Sequence, residues 1–103
     1  MVNMIKVIVL KDKDKYKKIN ILGHALYDEY GKDIVCSAVS SIVTTTINGI
    51  LMLNKESLDY DINDEGMNIT IMKCDDITKT LIDNMLNLLK DLEEKYPDNI
   101  SVK

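Results

Sequence analysis

Two apolar runs separated by a charged segment, in the first part of the chain, predict a pair of strands. Segment 4–10 is rich in β-branched residues, and a second apolar run, 19–22, ends at Gly23. Between them, segment 11–18 carries five lysines and two aspartates, a composition typical of a solvated hairpin tip. We therefore expect two strands joined by this charged tip.

Apolar residues in the middle of the chain recur with a helical period. From Asp33 to about Leu53, apolar residues recur at the i, i+3, i+4 spacing of a helix face. The threonine run and Gly49 are poor helix formers, so tertiary packing has to hold this segment helical. The positions on this face are Val35, Val39, Ile42, Val43, Thr46, Ile47, Ile50 and Leu51.

A second hairpin and a second helix complete the pattern. Strict alternation in segments 57–62 and 67–71 predicts two strands, with segment 63–66 as their turn. Asp75 then marks the start of a helix that Pro97 ends. In the two strands the apolar sets are Leu58, Tyr60 and Ile62, and Met67, Ile69 and Ile71. We also expect the methionines at or beside pattern positions, Met52, Met67, Met72 and Met85, to fill the core.

The element order ββαββα, with a short terminal strand left open, predicts the fold class. Such an order is typical of an α+β fold in which two helices pack on one face of a mostly antiparallel sheet. With 103 residues, the chain is expected to make a single domain, 1–103, because a second hydrophobic core would not fit.

Charge and hydropathy narrow the function classes. The net charge of −4 gives no support to nucleic-acid binding, which needs a concentrated basic surface. No stretch is expected to reach the roughly 20 apolar residues that span a membrane, and nothing at the start resembles an export signal. We therefore expect a cytoplasmic protein without a membrane partner. In that reducing compartment Cys36 and Cys74 are expected to be free thiols.

His24 and Cys36 are the residues that could carry chemistry. His24 is the only histidine and follows a strand, whereas Cys36 lies near the start of the long helix. The positive end of a helix dipole favours a thiolate, an imidazole can take up the thiol proton, and free N–H groups can receive an oxyanion. The alternative is structural, since a cysteine near a helix start is commonly a small hydrophobic residue.

The residues around this pair form a longer motif that resembles a known family. Gly23, His24 and Ala25 are followed, after a short loop, by the run from Gly31 to Ser40, which reads Gly-Lys-Asp-Ile-Val-Cys-Ser-Ala-Val-Ser. This motif is similar to the signature of the bacterial ribosomal-processing cysteine proteases, the Prp family. By position, the resemblance implies that His24 is the catalytic histidine and Cys36 the nucleophile.

The resemblance also places supporting residues around the pair. Asp33 and Ser40 match further motif positions around the active site, and Ser37, which follows Cys36, is also expected to bind substrate or support the site. Asp33 is equally explained as a helix N-cap, and Ser40 as a hydroxyl bonded to its own helix. Gly23 and Gly31 permit backbone angles that would let the loop between them open, or are ordinary turn glycines.

The resemblance further implies a substrate and an assembly. Members of the family are site-specific endopeptidases that remove the N-terminal extension of a large-subunit ribosomal protein, and they are homodimers without a cofactor. The alternative from another class is a non-catalytic ribosome-assembly or peptide-binding factor. No metal is expected, because one histidine and two cysteines without paired spacing make a poor zinc site.

Overall fold

The strands and helices of the protein follow the predicted order and end in a short strand. The computed structural model describes residues 4–23 and 32–103, and of residues 32 and 33 only the backbone. The elements are β1 (Ile5–Asp12), β2 (Lys15–Leu22), α1 (Lys32–Leu53), β3 (Leu58–Asn63), β4 (Gly66–Ile71), α2 (Asp76–Lys95) and β5 (Ile100–Val102). The terminal strand left open by the sequence is therefore present.

The five strands form one sheet in the order β3-β4-β2-β1-β5. Three of its pairings are antiparallel, β1 with β2, β2 with β4, and β3 with β4. The fourth pairing, between β1 and β5, is parallel and places Ile5 opposite Ile100. A parallel pair needs a crossover connection, and α2 lies on that crossover. The prediction of a mostly antiparallel sheet is confirmed, with this one exception.

The core lies between one face of the sheet and both helices. Ile19 and Ile21 of β2 are fully buried, and they pack in the same cluster as Val39 of α1 and Met85 of α2. On the opposite face of the sheet, Lys6 and Ile8 are exposed. Since side chains alternate between the two faces of a strand, this division shows that both helices cover a single face, as predicted.

β2 begins earlier than its apolar run predicts. It starts at Lys15, whereas the apolar run starts at Ile19, because Tyr16 is buried on the helix side and the lysines around it point to solvent. The pairing with β1 shifts register between Leu10 and Lys11. The charged segment 11–18 therefore forms the end of β1 and the start of β2 as well as the turn between them.

α1 is the one helix in the described ranges that is long and apolar enough, by length and composition, to cross a membrane. Its segment Ile34–Leu53 contains no charged residue. The expectation that no stretch reaches this length was therefore wrong, because it counted apolar residues and overlooked uncharged serines and threonines. The core helix of a soluble protein passes the same test, and α1 buries Val39, Val43 and Ile47 in the core.

Four apolar residues that the pattern places in the core are exposed. Tyr60 and Ile62 of β3 are 42% and 64% exposed, although Leu58 on the same face of the strand is buried. Met52 and Met72 are 88% and 63% exposed, whereas Met67 and Met85 are buried. The core-filling prediction is thus wrong for Met52 and Met72. The physical reason is position, since β3 is an outer strand and Met52 and Met72 lie at or just beyond the ends of their elements.

Candidate active site

Gly23 closes β2 in a conformation that favours glycine. Its φ of +84° lies in the left-handed region, and an added Cβ would stand 2.8 Å from the carbonyl oxygen of Met4. Its N–H donates to the carbonyl oxygen of Glu65 at 2.9 Å. The backbone that leads into His24 is therefore held against the start of β1 and against the turn between β3 and β4.

Cys36 lies one turn inside α1, at the boundary between the core and the surface. The helix begins at Lys32, and the side chain before the cysteine, Val35, is almost completely buried. Cys36 is half-buried, packs against the core and is a free thiol. Val35 thus anchors the helix start, while Cys36 next to it is partly exposed.

The two serines of the motif lie on different sides of α1. Ser40 follows Cys36 by four residues, so the two side chains lie on the same side of the helix, and Ser40 is also half-buried. Ser37 is exposed. Ser40 is therefore the serine positioned beside the thiol, one turn along the helix, and Ser37 faces solvent.

The remaining predicted site residues lie in or beside segment 24–31. His24 and Gly31 are outside the described residues, and so is the side chain of Asp33. Asp33 is the second residue of α1, so its backbone belongs to the first turn and does not precede the helix as an N-cap does. The structure thus describes the two ends that flank the segment, Gly23 and the start of α1.

The start of α1 favours negative charge. The first N–H groups of a helix have no partner within the helix, and the positive end of the helix dipole lies there. Within residues 4–23 and 32–103, no three histidine, cysteine or carboxylate side chains are grouped so that they could hold a metal ion.

A second polar cluster, which the sequence did not reveal, lies near the hairpin tip of β2. The Tyr16 hydroxyl donates to the Asp83 carboxylate of α2, which also accepts from Lys79 at 3.0 Å. Burial, together with the hydrogen bond and charge of Asp83, raises the pKa of Tyr16 to about 12. The hydrogen bond from Tyr16 lowers the pKa of Asp83. The only sequence signal for this cluster is the i, i+4 spacing of Lys79 and Asp83.

Cys74, the second cysteine, belongs to this cluster and not to the candidate site. It is half-buried and lines a recess of about 350 Å³ together with Tyr16 and Lys73. Tyr16 is the second residue of β2 and Gly23 follows its last residue. At about 3.3 Å per strand residue, the recess is roughly 20 Å from Gly23. This distance from the candidate site agrees with the interpretation of Cys74 as a structural residue.

Comparison with known proteins finds relatives over nearly the whole chain. A family described as cysteine protease Prp matches residues 4–101. The ribosomal processing cysteine protease Prp of Staphylococcus aureus is 33% identical over 96 residues, which cover 90% of this chain and 91% of the relative. The protein of the same name from Bacillus subtilis is 26% identical over 107 residues, with 96% of each chain covered.

Solved structures agree with this similarity. The ribosomal processing protease Prp from S. aureus in complex with a substrate peptide superposes with a TM-score of 0.86 at 31% identity, covering 97% of this chain and 98% of that chain. The same protease in complex with a covalently linked product peptide superposes with a TM-score of 0.84 at 31% identity, with the same coverage. The similarity therefore extends to the whole fold, beyond the motif around Cys36.

Proposed function

The chain belongs to the cysteine protease Prp family, and from this premise we propose that it is a site-specific endopeptidase that removes the N-terminal extension of a bacterial large-subunit ribosomal protein. The step would be needed for ribosome assembly. The single observation that carries the proposal is the free, half-buried thiol of Cys36 at the start of α1, within a chain similar over its length to proteases of this kind.

In the proposed mechanism Cys36 and His24 divide the work. The His24 imidazole takes the thiol proton, and the Cys36 thiolate attacks the scissile carbonyl carbon. When the tetrahedral intermediate collapses, the C–N bond breaks and the imidazolium gives its proton to the leaving amine. Water, deprotonated by His24, then hydrolyses the thioester and restores the thiol. A protease of this type needs no cofactor.

We assign the other motif residues to support. Gly23 holds the backbone before His24, and Gly31 would let the segment 24–31 change shape for substrate. Ser40 lies beside Cys36 on its helix, where its hydroxyl would contact the peptide, and Ser37 would do so from the exposed side. Asp33 would orient His24 or the neighbouring backbone.

The proposed protein is a single peptidase domain, 1–103, that acts in the cytoplasm as a homodimer. The match to residues 4–101 supports one domain, and a substrate made on ribosomes supports the compartment. The dimer is supported by the outer face of α1, which is exposed and uncharged, because interface cores are depleted in charge. The side chains of this face are Ile34, Ser41, Thr44, Thr45, Asn48 and Met52.

The dimer is tested by sedimentation velocity on the wild type and on Thr45→Lys, which places a charge in the middle of this face. We expect the wild type to sediment as a dimer and the variant to shift toward the monomer. Asn87→Lys, at an exposed position of α2, is the matched control. A monomeric wild type would contradict the proposal.

The peptidase is tested on the extended ribosomal protein from the same genome, with its mass followed over time. We expect the wild type to remove a defined N-terminal segment, and Cys36→Ala and His24→Ala each to lose roughly a thousandfold or more in rate. Cys74→Ala is the matched cysteine control and should cleave normally. An intact substrate that co-purifies with the wild type would instead support a non-catalytic binding factor.

A further inference from the structure

The outer edge of β3 is free of strand partners in the described part of the chain. β3 pairs with β4 along its whole length and stands last in the sheet order. An outer strand presents unpaired N–H and C=O groups, which are a template for another extended segment. In β3 the N–H of Tyr60 donates to Asp59 Oδ1 at 2.9 Å, so an added strand would have to replace that bond. Proteins commonly protect such an edge with charged side chains, prolines or bulges. β3 contains no lysine or proline, and its only charged side chains are those of Asp59 and Asp61, which repel an acidic segment and attract a basic one.

The side chains of β3 differ between its two faces. Tyr60 and Ile62 lie on the helix side of the sheet and are 42% and 64% exposed. Asp59 and Asp61 lie on the opposite, uncovered side and are exposed. The turn that follows adds the exposed carboxylates of Asp64 and Glu65. The edge therefore combines an apolar row on one face with an acidic row on the other.

We propose that the outer edge of β3 binds the substrate by strand addition, as an extended peptide with apolar residues on one face and lysine or arginine on the other. Successive residues of an added strand point to opposite faces. One set would then meet Tyr60 and Ile62, and the alternate set Asp59 and Asp61, as cross-strand pairs. Backbone hydrogen bonds supply affinity in this mode and the alternate side chains supply specificity.

A recess beside β3 is suited to a basic side chain of such a peptide. It measures about 200 Å³ and lies on the uncovered face of the sheet. Asp61 accepts from the Asn68 amide at 3.0 Å and Asp59 from the N–H of Tyr60 at 2.9 Å, in each case through Oδ1. The recess is lined by Lys18, Asp59, Tyr60, Asp61, Asn68 and Thr70. Lys18 is on β2, so the carboxylates form the wall next to the added strand.

The edge is connected to the candidate active site through the β3–β4 turn. The backbone carbonyl oxygen of Glu65 in that turn accepts a hydrogen bond from the N–H of Gly23, the residue before His24. Three strand spacings separate an added strand from β2, which is about 14 Å, and four or five extended residues span that distance. A peptide held at β3 can therefore continue to the site, so β3 would bind residues that flank the scissile bond. This inference rests on the proposed function for the identity of the substrate.

A second copy of the chain fits this edge less well than a basic peptide. If two β3 strands paired antiparallel, Asp59 and Asp61 of one copy would lie opposite the same acidic row of the other. Like charges directly opposite each other destabilise a strand pair. Charge complementarity therefore selects a partner with basic residues.

Binding is measured on Cys36→Ala protein, which cannot turn over, with fluorescein-labelled octapeptides followed by anisotropy. The probe alternates valine and lysine; one control peptide has glutamate in place of lysine, and another has N-methyl groups on alternate backbone amides. We expect only the first to bind well. Asp59→Asn/Asp61→Asn should weaken its affinity about tenfold, whereas Asp91→Asn/Glu94→Gln on α2, the matched control, should not.

Hydrogen exchange distinguishes strand addition from attraction by charge alone. We expect the backbone amides of segment 58–63 to exchange more slowly when the valine–lysine peptide is bound. Equal binding of the N-methylated peptide, or unchanged exchange in β3, would overturn the proposal.

A kinetic experiment separates this inference from the proposed function. With the extended ribosomal protein as substrate, Asp59→Asn/Asp61→Asn should raise KM and leave kcat unchanged. Normal cleavage with an unchanged KM would overturn the role of β3 and leave the peptidase intact. A wild type that does not cleave, but whose β3 is protected by the peptide, would overturn the substrate assignment and support strand addition.

Discussion

At Gly66 and Gly23 the backbones of two neighbouring strands lie so close together that there is no room for a side chain. Gly66 has a φ of +145°, and an added Cβ would stand 2.0 Å from the carbonyl oxygen of Ile21. Gly23 meets the carbonyl oxygen of Met4 in the same way, at 2.8 Å. Both contacts are with backbone, which cannot rotate away as a side chain can. These two residues hold the end of β2 between β1 and β4.

Replacing either glycine with alanine should destabilise the protein, and the loss should be larger at Gly66. We expect Gly66→Ala to lower the free energy of unfolding by about 2 kcal/mol or more, with a smaller loss for Gly23→Ala. Gly49→Ala is the control, since nothing lies within 4 Å of its added Cβ; alanine there should stabilise α1 by about 0.5 to 1 kcal/mol. Urea unfolding measures all three, and equal stabilities of Gly66→Ala and wild type would contradict the geometry.

At the scale of elements, α2 shows how far local chemistry defines a helix. Asp75 is its N-cap, and the carboxylate accepts the N–H of Thr78 at 2.8 Å. The helix ends at Lys95, with Tyr96 as the C-cap and Pro97 next. Both ends agree with the prediction, because caps and proline act on neighbouring residues only. Its buried face is Thr78, Ile82, Met85, Leu86 and Leu89.

The cap predicts an acid-sensitive contribution to stability. The hydrogen bond from Thr78 lowers the pKa of Asp75 below its ordinary value of 3.8. A lowered pKa means that the stabilisation is present above that value and is lost as the pH falls through the folded pKa. We expect Asp75→Ala to lower Tm at pH 7 and to converge with the wild type in acid. Asp75→Asn, which can still cap, should lose less at pH 7.

At the scale of the whole molecule, the Tyr16–Asp83 hydrogen bond joins the sheet to α2. The two residues are 67 positions apart, and Tyr16 is 6% exposed. The contact complements the apolar core, because it gives a buried hydroxyl a charged partner. It also lies at the hairpin end of β2, away from Gly23, so it supports the fold without taking part in the candidate site.

Because the pKa of Tyr16 is raised, we expect the folded protein to lose stability at alkaline pH. This pKa is raised from 10.0 to about 12, so the neutral form is favoured in the folded state. The resulting stabilisation is complete below pH 10 and is lost as the pH rises toward 12. We expect Tyr16→Phe to cost about 1 kcal/mol at pH 7. As the pH rises toward 12 the difference should shrink and then reverse, by chemical denaturation, because only the wild type has to bury a phenolate. Tyr60→Phe, at an exposed position, should change little.

The sequence predicted part of the fold and part of the candidate site. The element order, the mostly antiparallel sheet and the single helix-covered face are confirmed. The position of Cys36 near a helix start agrees with α1, which begins one residue before the predicted boundary. The pairing of His24 with Cys36 stays a prediction, because His24 is outside the described residues.

By itself, the sequence determined what depends on neighbours along the chain: the periods of strands and helices, the helix start at Asp75, and the motif around Cys36. Tertiary structure alone decided which apolar residues are buried. Tyr60 and Ile62 continue the alternation of Leu58 but lie on the outermost strand, where no neighbour covers them. It also decided that β5 lies beside β1 and Asp83 beside Tyr16. Burial depends on which elements pack together, and local periodicity carries no record of distant partners.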